Sequence, residues 1–129
     1  MVTRTPFSAV LNTGNITWTN MPAALTELLG LVHRRARLTL VDVDTVRLVC
    51  RVSTAGVAAA VLRAEYSLNE STWSTLTTDL SLAAVGTVAS TWAALPAGAQ
   101  GQDVIVRIVG VNGDGVADPV IGNLGLEYR

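Results

Sequence analysis

The chain has 129 residues, of which half are hydrophobic, 15% charged and 5% aromatic, and its formal net charge is −1. That length suits one domain, and the apolar share supports a core built from Val, Leu, Ala and Ile. The near balance of charge excludes an electrostatic footprint for nucleic acid or an anionic membrane, and a single cysteine, Cys50, excludes an internal disulfide or a Cys-based zinc site.

All nine basic residues are Arg. GC-rich coding accounts for this, with selection for bidentate Arg contacts as the secondary reading. The charged share lies below the usual quarter or so. Stable interfaces are depleted in charge in this way, so a homo-oligomer is expected. The opening "MVTRTPFSAVL" has no apolar stretch long enough for a signal peptide, and no apolar run reaches membrane-spanning length.

In chain order, residues 1–21 mix Thr, Asn and Pro with few apolar pairs and read as an extended arm. "NMPAALTELLG" reads as a short helix with Asn20 as cap, Pro22 in the first turn and Gly30 as stop. The alternation of Leu25, Glu27 and Leu29 supports a strand instead. The expected organisation is an arm with this short helix over 1–33 and a β-sandwich over 34–129. Deleting residues 1–20 is expected to leave the sandwich folded.

"LVHRRAR" holds the lone His33 beside Arg34, Arg35 and Arg37. The Arg cluster, where arm meets sandwich, suits contact with an acidic neighbour. From Arg35 onward the dominant period is two. "RARLTLVDV" is a strand. In "DTVRLVCRV", Val46, Leu48, Cys50 and Val52 point one way and Arg47 and Arg51 the other, which makes Cys50 a buried, inert thiol. In "VLRAEYSL", Leu62, Ala64, Tyr66 and Leu68 face in. "GTVASTW" is a further strand, "QDVIVRIVGV" is apolar on both faces and reads as central, and "GNLGLEYR" closes the chain. Gly- and Pro-rich turns separate these strands at short intervals with no helical spacer. The expected fold is all-β, an antiparallel β-sandwich or jelly roll.

"YSLNESTWSTL" resembles the Asp-box turn of sialidase-type propellers, with Asn69 in place of the acid and the glycine absent. Asn69 is expected to hold the turn through its side chain, with Trp73 closing the core. In "VNGDGVADP", Asp114 and Asp118 suggest a calcium loop, completed by a distant Asp42 or Asp44. Gly110 and Ile121 stand where an EF-hand-like loop needs ligands, so solvated acids in a hairpin loop are the preferred reading. Trp18, Trp73 and Trp92 would form a sugar platform if they shared a face; each also sits where a core Trp is expected. One His, no Lys, no Cys pair and no paired-carboxylate pattern argue against an enzyme, and no cofactor is expected.

Taken together, "WTNMPAALTELLG", "RLVCRVSTAG", "LRAEYSLNESTW" and "VRIVGVNGDGVADPVIGNLGLEYR" resemble small β-sandwich virion proteins of tailed bacteriophages with GC-rich actinobacterial hosts, most of all capsid decoration proteins. The resemblance implies a structural protein on the outer capsid surface, bound to the major capsid protein, often as a trimer, and clamping adjacent capsomers. Under that reading the partner-binding residues are Arg4, Phe7, Trp18, Arg34, Arg35 and Arg37. The alternative reading is a carbohydrate-binding module of a tail fibre or virion surface, with a glycan as ligand.

Overall fold

The structure, a computed structural model, describes residues 7–129. Those residues form twelve strands: β1 (Phe7–Asn12), β2 (Ile16–Thr17), β3 (Thr26–Glu27), β4 (Ala36–Thr39), β5 (Thr45–Thr54), β6 (Val61–Ser67), β7 (Ser74–Thr75), β8 (Leu80–Ser81), β9 (Gly86–Ala89), β10 (Ala93–Ala94), β11 (Asp103–Val111) and β12 (Val120–Tyr128). The one helical element among them is a short 3-10 turn at Ala97–Ala99. The all-β sandwich expected from the two-residue period is the fold found.

The short strands lie end to end along the sheet edges: β1 with β2, β3 with β4, β7 with β8, and β9 with β10. Counted this way there are eight strand positions. One sheet runs β1/β2, β12, β5, β9/β10, and the other runs β3/β4, β11, β6, β7/β8. Every pairing is antiparallel. Position one pairs with eight, two with seven, three with six and four with five, so the chain folds as one long ribbon doubled at its middle and rolled. That is a jelly roll.

The alternation in β5 sets its inner row, with Val46, Leu48, Cys50 and Val52 all buried. They meet Leu62 and Ala64 of β6, Val104, Val106 and Ile108 of β11, and Leu124 and Leu126 of β12 in one core. On β11 the outward Ile105 and Val109 are buried too, as the unbroken apolar run requires. In register they are flanked by Arg37 and Ser67, and by Glu27 and Arg63.

Two expectations for the first third are corrected. Over its described part, the segment 1–33 is not a separate arm. β1 pairs with β12 from Phe7↔Tyr128 to Asn12↔Leu124, and Leu11, Trp18, Met21, Leu28 and Leu31 are core residues. Deleting residues 1–20 would therefore remove a sheet edge and part of the core. The helix of "NMPAALTELLG" is absent as well. The carbonyls that would start it are taken by the 112–115 loop: Gly115 N–H donates to Met21 O at 3.1 Å, Gly113 to Pro22 O at 3.0 Å and Asn112 to Ala23 O at 3.3 Å. Asn20, at φ 52, does not have the extended backbone of a helix cap.

Candidate functional site: an apolar loop platform

The arginines and tryptophans singled out in the sequence are mostly engaged inside the molecule. The Glu27 carboxylate accepts from Arg34 Nε at 2.8 Å and from Arg35 Nη2 at 2.9 Å. Arg107 of β11 donates to Glu65 of β6 at 2.7 Å and 2.9 Å and lies 3.6 Å from Glu27. Burial works against the Glu27 carboxylate, yet the hydrogen bonds and charges of Arg35 and Arg34 outweigh it and hold its pKa below the ordinary value. Trp73 lies across this network, with Arg107 4.4 Å and Arg35 5.2 Å from its ring centre. Trp73 therefore covers the outer face of its sheet, only partly buried, and does not close the core as expected. The turn before it behaves as read: Asn69 Oδ1 accepts from the N–H groups of Ser71 and Thr72, both at 2.9 Å.

The other sheet carries a matching group. The Trp92 ring centre lies 4.6 Å from the Arg47 guanidinium and 4.0 Å from that of Arg129, and Arg47 donates to Glu127 at 2.6 Å. Trp18 is buried against Gly110, where a Cβ would sit 2.5 Å from its ring. The three tryptophans thus occupy the core and two opposite faces, and no two of them form a common platform. Of the remaining expected contacts, Arg37 is exposed on β4 without an ion pair among the described residues. Phe7 is exposed and stacks on Tyr128 at 5.8 Å, beside a cleft of about 380 Å³ lined also by Val41 and Asp42. Arg4 lies outside the described residues.

The calcium set is not brought together. Asp114 and Asp118 lie at the end of the sandwich where β11 finishes, whereas Asp42 and Asp44 lie at the other end, next to Arg129. Among the described residues no three His, Cys, Asp or Glu side chains are grouped to hold a metal. Asp114 instead accepts from Val116 and Ala117 N–H, both at 2.8 Å, and those bonds hold its pKa below the ordinary value. Asp118 accepts from Asn20 N–H at 2.6 Å.

Those two acids belong to a surface that sequence reasoning missed. Four loops meet at this end: 18–25, 55–60, 82–85 and 112–119. The first and last are laced by the three bonds already given and by Trp18 N–H to Pro119 O at 2.9 Å. Gly56 N–H donates to Leu82 O and Leu82 N–H to Ala60 O, both at 2.9 Å. Gly56 also packs beside Pro119, where a Cβ would lie 3.5 Å from its ring. At Gly113 the Met21 carbonyl leaves no space for a side chain, so glycine is what lets these loops close.

The result is a firm platform with apolar tips. Leu25 is 45% exposed, Val85 69% and Val116 79%, with exposed Ala24, Ala58, Ala59 and Ala84 around them. These four loops contain no Arg, and their only charges are the two acids already held by backbone N–H groups. A charge-poor apolar surface of this kind suits a protein partner far better than a polar ligand. The available signal was the Ala-rich loop sequence, which as a string reads only as turn. Comparison of the chain with family models, curated proteins and solved structures gives no match.

Proposed function

We propose that this protein is a structural, non-catalytic virion component: a decoration protein that seats its loop platform on the outer surface of a tailed-phage capsid and braces adjacent capsomers. The observation that carries the reading is the laced, cation-free platform tipped by Leu25, Val85 and Val116. A rigid jelly roll presents such a surface without ordering cost, which favours tight seating. The Arg34–Arg35 pair, engaged by Glu27, serves in this reading to stiffen the body, and the contact moves to the opposite kind of surface, one without charge. The resemblance of four sequence stretches to phage decoration proteins supplies the identity of the partner.

The test is co-sedimentation of the purified protein with DNA-free actinobacteriophage heads. The wild type is expected to load in a fixed ratio, and Val85→Asp/Val116→Asp to remain folded and stay in the supernatant. Absence of wild-type loading, or equal loading of the variant, would refute the proposal.

A further inference from the structure

Three of the four sheet edges are guarded against pairing with another strand. The β3/β4 edge bears Glu27 and Arg37. The β7/β8 edge carries Asp79, paired with Arg63 at 3.0 Å. The β1/β2 edge is overlain near its middle, where His33 N–H donates to Leu11 O and Val32 N–H to Asn12 Oδ1, both at 3.1 Å. On the fourth edge, the stretch β9 has no such protection among the described residues. From Leu80 to Gln102 the chain has no charged residue, although edges are normally kept apart by charge.

The direction of its free groups follows from the ladder. Ser90 N–H donates to Leu48 O at 2.8 Å, so the main chain of Ser90, and by alternation that of Val88 and Gly86, faces β5. Thr87 and Ala89 turn their N–H and C=O groups outward. Thr91 does the same, and its carbonyl accepts the Thr78 hydroxyl at 3.3 Å. Among the described residues, no main-chain hydrogen bond outside the β5 ladder reaches Thr87 or Ala89. Both are exposed, and their side chains are small.

We propose that β9 pairs antiparallel with β9 of a second copy of this chain, about a two-fold axis through Ala89. The chemistry selects the occupant. A free strand edge is filled by a strand, and an antiparallel edge is complementary to itself: each Ala89 offers the other one donor and one acceptor. Thr87 then faces Thr91 of the second copy. The uncharged run ensures that the axis opposes no like charges, which a strand from a charged partner would not need. The four-position sheet that ends in β9/β10 thereby joins its copy in one continuous sheet, and the other sheet stays unpaired. The outer row Val10, Gly125, Val49 and Ala89 continues into the same row of the second copy.

The experiment is sedimentation velocity on the full chain up to about 100 μM, with amide hydrogen exchange over the same range. The wild type is expected to dimerise, and the Thr87 and Ala89 amides to slow as concentration rises. Ala89→Lys sets like charges face to face across the axis. Ala89→Pro removes the outward N–H while leaving the β5 ladder its bonds. Both are expected to lose the dimer, and Val10→Lys, on the far edge of the same sheet, to keep it. A monomeric wild type, a three-fold assembly, or a dimer that survives both Ala89 changes would overturn the proposal. It does not rest on the virion reading: each of those results refutes edge pairing, while head binding is decided separately by co-sedimentation.

Discussion

Replacing Arg107 with Met separates a buried ion pair from the packing around it. Arg107 holds Glu65 through two hydrogen bonds, of 2.7 Å and 2.9 Å. The Glu65 side chain is 7% exposed and that of Arg107 21%. Removing the cation leaves a nearly buried carboxylate with its direct partner gone. Breaking such a pair in a fully dry site costs about 3–5 kcal/mol. The partial exposure of Arg107 admits some water, which brings the expected loss to about 2–4 kcal/mol. For a chain of this size that is a fall in Tm of about 10 °C. Replacing both partners, Glu65→Leu with Arg107→Met, removes the stranded charge and is expected to recover most of the loss. Urea unfolding of the two singles and the double gives the coupling directly. The reasoning fails if Arg107→Met costs less than about 1 kcal/mol, the range of an exposed pair. It fails equally if the double loses the sum of the singles.

Gly110→Ala drives a methyl group against the Trp18 ring and Met21 Cε, which would lie 2.5 Å and 2.8 Å away. The expected cost is about 1–3 kcal/mol with the fold retained, measured by urea unfolding and circular dichroism. Glu27 has a folded pKa below its ordinary 4.5, so its contribution is complete above that value and is lost as pH falls through the folded pKa. Glu27→Gln should therefore lower stability at neutral pH and flatten the acid side of the Tm-versus-pH curve; an unchanged acid slope would refute the role given to the Arg34 and Arg35 clasp. Burial pushes the Cys50 thiol up to about 11, so a thiol reagent at pH 8 should label it only after unfolding. Native labelling would mean that the inner row of β5 is open.

How much of this could be read from the string depends on how far apart the determining residues lie. The strand β5 is written in local alternation, and β11 in its doubly apolar run, because pleating alone forces neighbours to opposite faces; in β6 the alternation fails at its end, where Glu65 and Ser67 are buried and Leu68, expected to face in, is exposed. The Asn69 turn is local as well, since its side chain reaches N–H groups two and three residues ahead. The segment 20–30 was illegible for the opposite reason. Its helix-like caps were overruled by donors from residues 112–115, some ninety positions away, which no window of sequence contains. Trp73 illustrates the same limit. A tryptophan at a strand start signals burial of some kind, but the choice between core and outer face was made by Arg107, which arrives from β11, and Arg35, from the turn before β4.

The sequence by itself therefore determined the class of fold: period-two strands, turn chemistry between them, and a chain short enough for one two-layer core. It also determined the scarcity of charge on which both proposals draw. Only the tertiary structure decided where the few charges went. The ion pairs of Arg107 with Glu65 and Glu27 form because rolling the ribbon brings positions two, four and seven into adjacent register. That same rolling gathers four loops from distant parts of the chain at one end, laces them through backbone groups, and leaves the tips of Leu25, Val85 and Val116 in solvent. Pleating is a property of neighbours in sequence, whereas surfaces are made by neighbours in space.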